Sequence, residues 1–272
     1  MVSRDLIIIL AVVLVLVVVL LKSLHVIAAT EVGLVTKRFG RRLGSDQPIA
    51  FRGEAGYQAK LLMPGLRFKL WPVFSVSKHP WVQIPAGEIG VVIAQIGAPL
   101  PIGAKTAEYR PEFANFTDLT VFLAEGGQKG IQRPVLPPGT LLPLHPVAFL
   151  VLTAGRVYGL PVSSNVDRRK PLTPQTFGLT PEHLRVTVVA PQGWQDVVGI
   201  VTTLEGPAPE AGDIASRLGG YADIAALEES GAGDAEKIEA ILASKNGLHN
   251  NYQDYQAFLD HGGRIGLQHD PL

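Results

Sequence analysis

The chain has 272 residues, enough for one large domain or two of ordinary size. Its 24 Lys and Arg residues balance its 24 Asp and Glu residues, so no basic field is available to hold a nucleic acid. The absence of Cys excludes a disulfide framework, a thiolate metal site, a cysteine nucleophile and attachment of lipid to sulfur.

The first predicted element is a helix in a long apolar run near the N-terminus. The sixteen residues from 6 to 21 are all Leu, Ile, Val or Ala. At about 1.5 Å per residue this run spans roughly 24 Å, and a continuation through residues 22–27 extends it to roughly 33 Å, enough for a hydrocarbon core of about 30 Å. We therefore predict a transmembrane anchor over residues 1–28. Its membrane-contacting side chains are Leu6, Ile7, Ile8, Ile9, Leu10, Val12, Val13, Leu14, Val15, Leu16, Val17, Val18, Val19, Leu20 and Leu21.

A cleaved signal peptide is the alternative interpretation of this run, because Val26 and Ala28 suit the positions before a cleavage site. A retained anchor is favoured, since the run is longer than a typical signal core and Arg4 is offset by Asp5. More basic residues follow the helix than precede it. By the positive-inside bias this predicts a single-pass membrane protein with the bulk of the chain in the cytoplasm.

One short pattern recurs three times in the rest of the chain. Its first half, a β-branched run around a Gly, occurs at residues 32–35, 89–92 and 198–201. Its second half, Gly-x-Gln, occurs at residues 56–58, 130–132 and 266–268. A Pro-Gly turn follows in the first two copies, whereas the third copy reaches Leu272 without one. We therefore expect an incomplete third copy and a chain that is part of a longer protein.

Chance is the alternative explanation of the repeat, because Val-Gly and Gly-x-Gln strings recur easily in a Gly- and Val-rich chain. The constant order of the two halves argues against it. So does a Gly-Gly pair four residues before the Gly-x-Gln segment in two copies, at residues 126–127 and 262–263.

Short segments rich in Val, Ile, Leu or Thr, and bounded by Gly or Pro, predict strands. They cover residues 31–37, 66–71, 81–85, 88–96, 131–136, 147–152, 183–190 and 197–204. After residue 205, Ala- and Glu-rich sequence predicts a helical insertion. It contains a helix that begins at Asp234 and an aromatic stripe that ends at Gly262.

These elements together predict an α+β protein: an N-terminal transmembrane helix followed by mainly antiparallel β units, with a helical insertion near the C-terminus. The expected domains are the anchor at 1–28, a β region with two repeats at 29–155, a Pro-rich basic loop at 156–181, and a third, incomplete repeat with the insertion at 182–272.

A search for catalytic chemistry finds no constellation of the required residues. The seven His are scattered and lack metal-ligand spacing. Neither a G-x-S-x-G elbow nor a Walker A loop is present, and the acidic pair Glu228 and Glu229 fits a solvated helix face. We predict no enzyme, no catalytic residue, no metal site and no cofactor.

Two stretches behind the apolar helix carry a family resemblance. Residues 31–40 read E-V-G-L-V-T-K-R-F-G, and residues 62–72 read L-M-P-G-L-R-F-K-L-W-P. In this order they resemble the SPFH or Band 7 family of stomatins, prohibitins and flotillins. The resemblance covers about the first ninety residues, and the second copy, at residues 127–140, looks like the form in larger bacterial flotillin-like members.

The resemblance implies β units of SPFH or Band 7 type and a non-enzymatic membrane scaffold. Such a scaffold forms large homo-oligomers, organises lipid microdomains and regulates other membrane proteins. The expected partners are membrane lipids, further copies of the chain and other membrane proteins. Family members usually add a long coiled coil, and no sustained heptad is present here. The alternative hypothesis is a membrane-anchored extracytoplasmic β-repeat binding module. A membrane-tethered hydrolase is disfavoured because no nucleophile or metal constellation is found.

Overall fold

The structure is a computed structural model that describes residues 4–44, 47–162, 172–191, 193–195, 197–209, 211–216, 254–260 and 262–268. These residues form a mixed α+β chain of small sheets and few helices. The chain divides into two compact units. Unit 1 comprises Met1–Pro99, Arg110–Gly130 and Val135–Arg185, and unit 2 comprises Leu100–Tyr109, Ile131–Pro134 and Val186–Leu272.

Helix α1, Arg4–Ser23, is built almost wholly from Leu, Ile, Val and Ala, with no Gly or Pro to interrupt it. Asp5 lies in its first turn and Lys22 in its last, where each charge complements the helix dipole. The helix ends at Ser23 because the chain passes directly into strand β1, Leu24–Ile27. Strand β1 pairs antiparallel with strand β5, Gly65–Phe68.

This early end overturns the predicted transmembrane anchor. The predicted span of roughly 33 Å required residues 22–27 to continue the helix, but Leu24–Ile27 is a strand. The helical apolar run reaches only about 24 Å, short of a hydrocarbon core of about 30 Å. In the described part of the chain, no helix has the length and apolar composition needed to cross a membrane. The predicted fold class with its transmembrane helix, and the predicted single-pass localisation with cytoplasmic bulk, are therefore wrong.

The other strands are short. They are β2 (Glu31–Lys37), β3 (Ile49–Ala50), β4 (Gly56–Gln58), β6 (Phe74–Pro80), β7 (Val82–Gln83), β8 (Gly90–Ala94), β9 (Gly130–Leu136), β10 (Leu141–Leu142), β11 (Phe149–Leu152), β12 (Val157–Tyr158), β13 (Thr202–Thr203) and β14 (Gly266–Leu267). Two further helices are α2 (Leu119–Ala124) and α3 (Tyr255–Asp260), and 3-10 turns occur at Pro111–Phe116, Pro174–Phe177 and Pro181–Leu184.

Two four-stranded sheets carry most of the pairing. Their strand orders are β3-β4-β2-β6 and β12-β11-β8-β9, and strand β9 has residues in both units. Strand β2 pairs antiparallel with β6 along its whole length, from Glu31 opposite Pro80 to Lys37 opposite Phe74. Smaller sheets pair β1 with β5, β7 with β10, and β13 with β14.

The core of unit 1 contains four phenylalanines that are almost fully buried, namely Phe113, Phe116, Phe122 and Phe149. The rings of Phe122 and Phe149 meet edge to face, with centroids 5.2 Å apart and planes at 77°. Such pairs add about 0.5 to 1.5 kcal/mol to the stabilisation that burial gives. The cluster joins helix α2 to strand β11.

The three Gly-x-Gln segments have the same backbone geometry. Their glycines have φ angles of 119°, 111° and 107° at Gly56, Gly130 and Gly266. Each glutamine is bridged in parallel register to a small, buried residue. The pairs are Ala50 with Gln58, Ala107 with Gln132, and Ser216 with Gln268.

The side-chain amide of the glutamine makes the same hydrogen bonds in the first and third copies. The amide nitrogen of Gln58 donates to the carbonyls four and two residues before it, at 2.8 and 3.0 Å. That of Gln268 donates to the carbonyls four and two residues before it, at 2.8 and 3.1 Å. These hydrogen bonds from the glutamine stabilise the glycine turn that precedes it.

The second and third copies share a segment that is longer than the predicted Gly-Gly and Gly-x-Gln pattern. Residues 118–132 and 254–268 both read D-x-x-x-F-L-x-x-G-G-x-x-G-x-Q. In each, the N–H of the second Gly donates to the carbonyl of the Phe, at 2.8 Å for Gly127 and 2.9 Å for Gly263. The segment thus forms a short helix that packs its Phe ring against a Gly-Gly turn.

Some of the predicted strands agree with the structure and others do not. The prediction for residues 31–37 agrees with β2, whereas residues 183–190 form no strand and begin inside the 3-10 turn Pro181–Leu184. Strand β6 was missed because its apolar alternation is limited to Phe74 and Val76, and polar residues follow up to Pro80. The helix predicted from Asp234 lies outside the described residues.

Candidate functional site

Helix α1 presents large apolar side chains to solvent around its whole circumference. The residues more than a third exposed are Leu6, Ile8, Ile9, Leu10, Val12, Val13, Leu14, Val15, Leu16, Val17, Val18, Leu20 and Leu21. A helix on the surface of a globular protein normally has one apolar stripe and one polar face. An apolar surface on every side therefore requires an apolar environment on every side.

The sheet of β1 and β5 continues this apolar surface. Leu24 lies opposite Phe68, and Val26 lies opposite Leu66, so the four side chains share one face. All four are exposed, by 40 to 66 %. On the other face of the same sheet Ile27 is buried, at 2 % exposure, whereas its neighbour Arg67 is exposed. We call α1 together with the exposed face of the β1–β5 sheet the apolar surface.

Ser23 fixes helix α1 to this sheet. Its hydroxyl donates to the carbonyl of Val19 at 2.6 Å and accepts from the backbone N–H of Trp71 at 2.9 Å. The carbonyl of Ser23 accepts from the N–H of Lys69, also at 2.9 Å. Because Ser23 is fully buried, these bonds are shielded from water and hold the helix end in one orientation.

Cationic and aromatic side chains surround the junction of helix and sheet. The ammonium of Lys22 lies 5.0 Å from the ring centre of Trp71, and that of Lys69 lies 5.3 Å from the ring centre of Phe74. Arg67 is exposed on β5, where its guanidinium donates to the carbonyls of Met63 and Pro64 at 3.0 Å. Long cationic side chains and Trp rings of this kind are favoured where an apolar phase meets water.

The structure brings the residues predicted for the anchor together in α1, but the site extends beyond them. The exposed face of β1 and β5 was missed, because residues 24–27 were assigned to the helix. Leu24-His25-Val26-Ile27 shows no clear period, so nothing in the sequence separated a strand from a helix here.

Unit 1 also contains two clefts. One has a volume of about 670 Å³ and includes Tyr57 and Arg156, and the other has about 640 Å³ and includes Asp118 and His145. In the second cleft, the Asp118 carboxylate accepts from the N–H groups of Thr120 and Val121 and so caps α2. Its bonding is that of a helix cap, not that of a catalytic acid.

Among the described residues, His145 has the most strongly shifted pKa. Burial lowers the pKa of its imidazole from 6.5 to about 4. Its Nδ1 accepts from the N–H groups of Val147 and Ala148, at 3.3 and 3.1 Å, and its Nε2 donates to the carbonyl of Gln58 at 3.1 Å. Both ring nitrogens are therefore used inside the fold, and burial accounts for the lowered pKa, so neither observation requires a catalytic role.

Metal binding has no geometric support in the described ranges, where no three His, Asp or Glu side chains lie close enough together to hold an ion. No protein-family model, no curated protein and no solved structure matches the chain. The apolar surface is therefore the candidate site, on the grounds of its own geometry.

Proposed function

We propose that this protein is a non-enzymatic scaffold that binds a lipid membrane through the apolar surface, self-associates there, and organises lipids and other membrane proteins. The single observation that carries the proposal is the exposure of apolar side chains on all sides of α1 and on the adjoining face of the β1–β5 sheet. Self-association and the organisation of lipids are carried over from the resemblance to SPFH or Band 7 proteins.

The size of the apolar surface supports stable attachment to lipid. Each large aliphatic side chain that leaves water contributes about 1.5 to 3 kcal/mol if fully buried, and less when it is already half covered. The exposed residues of α1 alone thus provide on the order of 10 kcal/mol. A single myristoyl chain gives only marginal, reversible attachment by comparison. The proposal requires that α1 enters the lipid, and it does not require that α1 crosses it.

A lipid phase fits this surface better than one partner protein does. A partner helix or sheet covers one stripe of α1, whereas acyl chains surround it. The neighbouring Lys22, Arg67, Lys69 and Trp71 suit the headgroup level, where cations meet anionic lipids and aromatic rings are favoured. Entry of α1 to the depth of Lys22 places the β1–β5 face against the lipid as well, because Ser23 fixes the two together.

Vesicle flotation tests the proposal. The full chain is mixed with vesicles of phosphatidylcholine and phosphatidylglycerol, and its distribution is compared with that of the double variants L66D/F68D and I102D/I214D. The control pair replaces apolar side chains that are more exposed than Leu66 and Phe68 and lie in unit 2. We expect the wild type and the control to float. The fraction of L66D/F68D bound to vesicles should be at least about tenfold lower, since two apolar side chains that would be buried in lipid are lost.

Wild-type protein that stays at the bottom of the gradient would contradict the proposal. Equal flotation of L66D/F68D and the control would show that the β1–β5 face does not contact lipid. Circular dichroism of each variant checks that the fold is retained, which is expected because all four positions are exposed.

A further inference from the structure

Charge is divided unevenly along the chain, although its sum is zero. Residues 22–80 contain 10 Lys and Arg residues but only 3 Asp and Glu residues, which gives this segment a net charge of +7. Residues 81–272 carry the compensating charge, with 13 Lys and Arg residues against 20 Asp and Glu residues. The basic segment is therefore the part of unit 1 that begins at the end of helix α1.

Two cations of this segment lie at the base of the apolar surface. Lys22 is exposed in the last turn of α1. The N–H of Lys69 donates to the carbonyl of Ser23, the residue that follows Lys22, at 2.9 Å. Each ammonium group lies over an aromatic ring, that of Trp71 or that of Phe74. Both charges are therefore held where helix α1 meets the β1–β5 sheet.

A second group of cations follows at the end of strand β2. Residues 37–42 read K-R-F-G-R-R, and all three arginines are exposed. Phe39 between them is 61 % exposed. The N–H of Arg38 donates to the carbonyl of Val73 at 2.9 Å, which ties this segment to the chain two residues after Trp71. The other two arginines follow within four residues, so their Cα atoms lie within about 14 Å of that of Arg38.

Few acidic side chains offset these cations. Glu31 lies at the opposite end of β2 from Lys37, six residues or roughly 20 Å away. The carboxylate of Glu54 accepts from the N–H of Arg52 at 2.9 Å. The third acid, Asp46, lies outside the described residues. The described part of the basic segment thus holds 10 cations and 2 carboxylates.

We propose that the apolar surface selects bilayers that contain anionic phospholipids, whose headgroups bind a basic rim beside it. The basic rim consists of Lys22, Arg38, Arg41, Arg42 and Lys69. Each Lys or Arg near an anionic membrane surface strengthens binding about fivefold. The selection rests on the proposed function, because it presupposes that the apolar surface enters lipid. A bilayer fits this arrangement better than a nucleic acid does, since only the bilayer offers an acyl phase next to its anionic groups.

Competition between two kinds of vesicle tests the selection. Sucrose-loaded vesicles of phosphatidylcholine and phosphatidylglycerol and unloaded vesicles of phosphatidylcholine alone share one sample of the full chain, and sedimentation separates them. In about 0.1 M salt we expect the chain to favour the anionic vesicles at least about a hundredfold. In about 1 M salt, where the screening length falls from about 10 Å to about 3 Å, the preference should fall at least about tenfold.

The double variant R41Q/R42Q tests the role of the basic rim. In about 0.1 M salt it should lower the preference for anionic vesicles at least about tenfold, because two cations are lost. The variant R41K/R42K keeps both charges and should retain the preference of the wild type within about threefold. The control K129Q/R185Q removes two exposed cations of unit 1 that lie outside the basic segment, and it should also stay within about threefold.

The outcomes separate this selection from the proposed function. A preference that R41Q/R42Q lowers and R41K/R42K retains supports the selection. Wild-type protein that binds both kinds of vesicle equally would overturn the selection and leave the proposed function intact, whereas protein that binds neither would overturn both. An equal loss of preference in R41Q/R42Q and K129Q/R185Q would overturn the role of the basic rim.

A nucleic acid is the competing ligand for the basic rim. It would replace the lipid headgroup if a short DNA duplex bound the full chain in mild detergent, R41Q/R42Q abolished that binding, and the two kinds of vesicle were bound equally. Circular dichroism of each variant checks that the fold is retained, which is expected because the four replaced side chains are exposed.

Discussion

The imidazole Nε2 of His145 lies 3.1 Å from the backbone carbonyl oxygen of Gln58 and donates a hydrogen bond to it. This bond joins the Gly-x-Gln segment of the first copy to the returning chain of the second. Nδ1 accepts from the N–H groups of Val147 and Ala148, and these two bonds exist only while Nδ1 is unprotonated. Protonation of the ring therefore breaks the bonds that hold residues 145–148, while the bond to Gln58 can persist.

Acid should weaken the fold in a defined pH window. The pKa of His145 is lowered by burial to about 4, whereas the unfolded chain takes up the proton near 6.5. Its contribution is therefore present above pH 6.5 and is lost as the pH falls towards 4, by on the order of 3 kcal/mol. The pKa of His79 is also lowered by burial and adds in the same direction.

Urea unfolding between pH 7 and pH 4.5 measures this loss. In H145Q the pH dependence should be smaller than in the wild type, because Gln does not take up a proton. An equal loss of stability in both proteins would show that other groups titrate in this window.

The glycine of the third Gly-x-Gln segment should be sensitive to a single methyl group. Gly266 has a φ of 107°, and a Cβ there would meet nothing closer than Pro209 at 4.0 Å, so the cost is strain of the backbone. We expect G266A to lower the free energy of unfolding by about 1 to 3 kcal/mol. The control G44A, with nothing within 4 Å and no positive φ, should be neutral or slightly stabilising. Equal denaturation midpoints for the two variants would contradict this account.

Packing of Phe122 on Gly127 should appear as a coupling between the two residues. A Cβ on Gly127 would lie 2.5 Å from the Phe122 ring, so G127A should destabilise by at least about 2 kcal/mol. Leu at position 122 makes room for that methyl group. The double variant G127A/F122L should therefore lose about 1 kcal/mol less than the sum of the single losses in a denaturation cycle. Strict additivity would show that the ring and the glycine do not share this contact.

Loss of the Ser23 hydroxyl should loosen the base of α1. In S23A the N–H of Trp71 loses its acceptor in a buried place, at a cost of about 1 to 3 kcal/mol. The fluorescence of Trp71 and amide exchange at residues 69–71 report the change. S77A, at an exposed serine, serves as the control and should leave amide exchange at residues 69–71 unaltered. Equal exchange in S23A and S77A would contradict the role given to Ser23.

The sequence was informative where a pattern repeats with a fixed period. It located β2 and both halves of the repeat, because apolar runs bounded by Gly have few alternative structures. It failed at residues 22–27, where an apolar sequence suits a helix or a strand equally well and the distant β5 decides. Propensity along the chain carries no information on a partner forty residues away.

The candidate site was likewise predictable only in part. The apolar side chains of α1 were predictable, since they lie in one run. The exposed face of β1 and β5 was not, because the register that places Leu24 beside Phe68 exists only after the chain has folded.

The most direct test of the central claim is to count copies of the fluorescently labelled full chain on a supported phosphatidylcholine and phosphatidylglycerol bilayer by stepwise photobleaching. A scaffold that binds lipid and self-associates predicts spots of several copies, and it predicts that L66D/F68D binds the bilayer about tenfold less while I102D/I214D matches the wild type. Bound wild-type protein in single copies at every surface density, or a wild type that does not bind the bilayer, would contradict it.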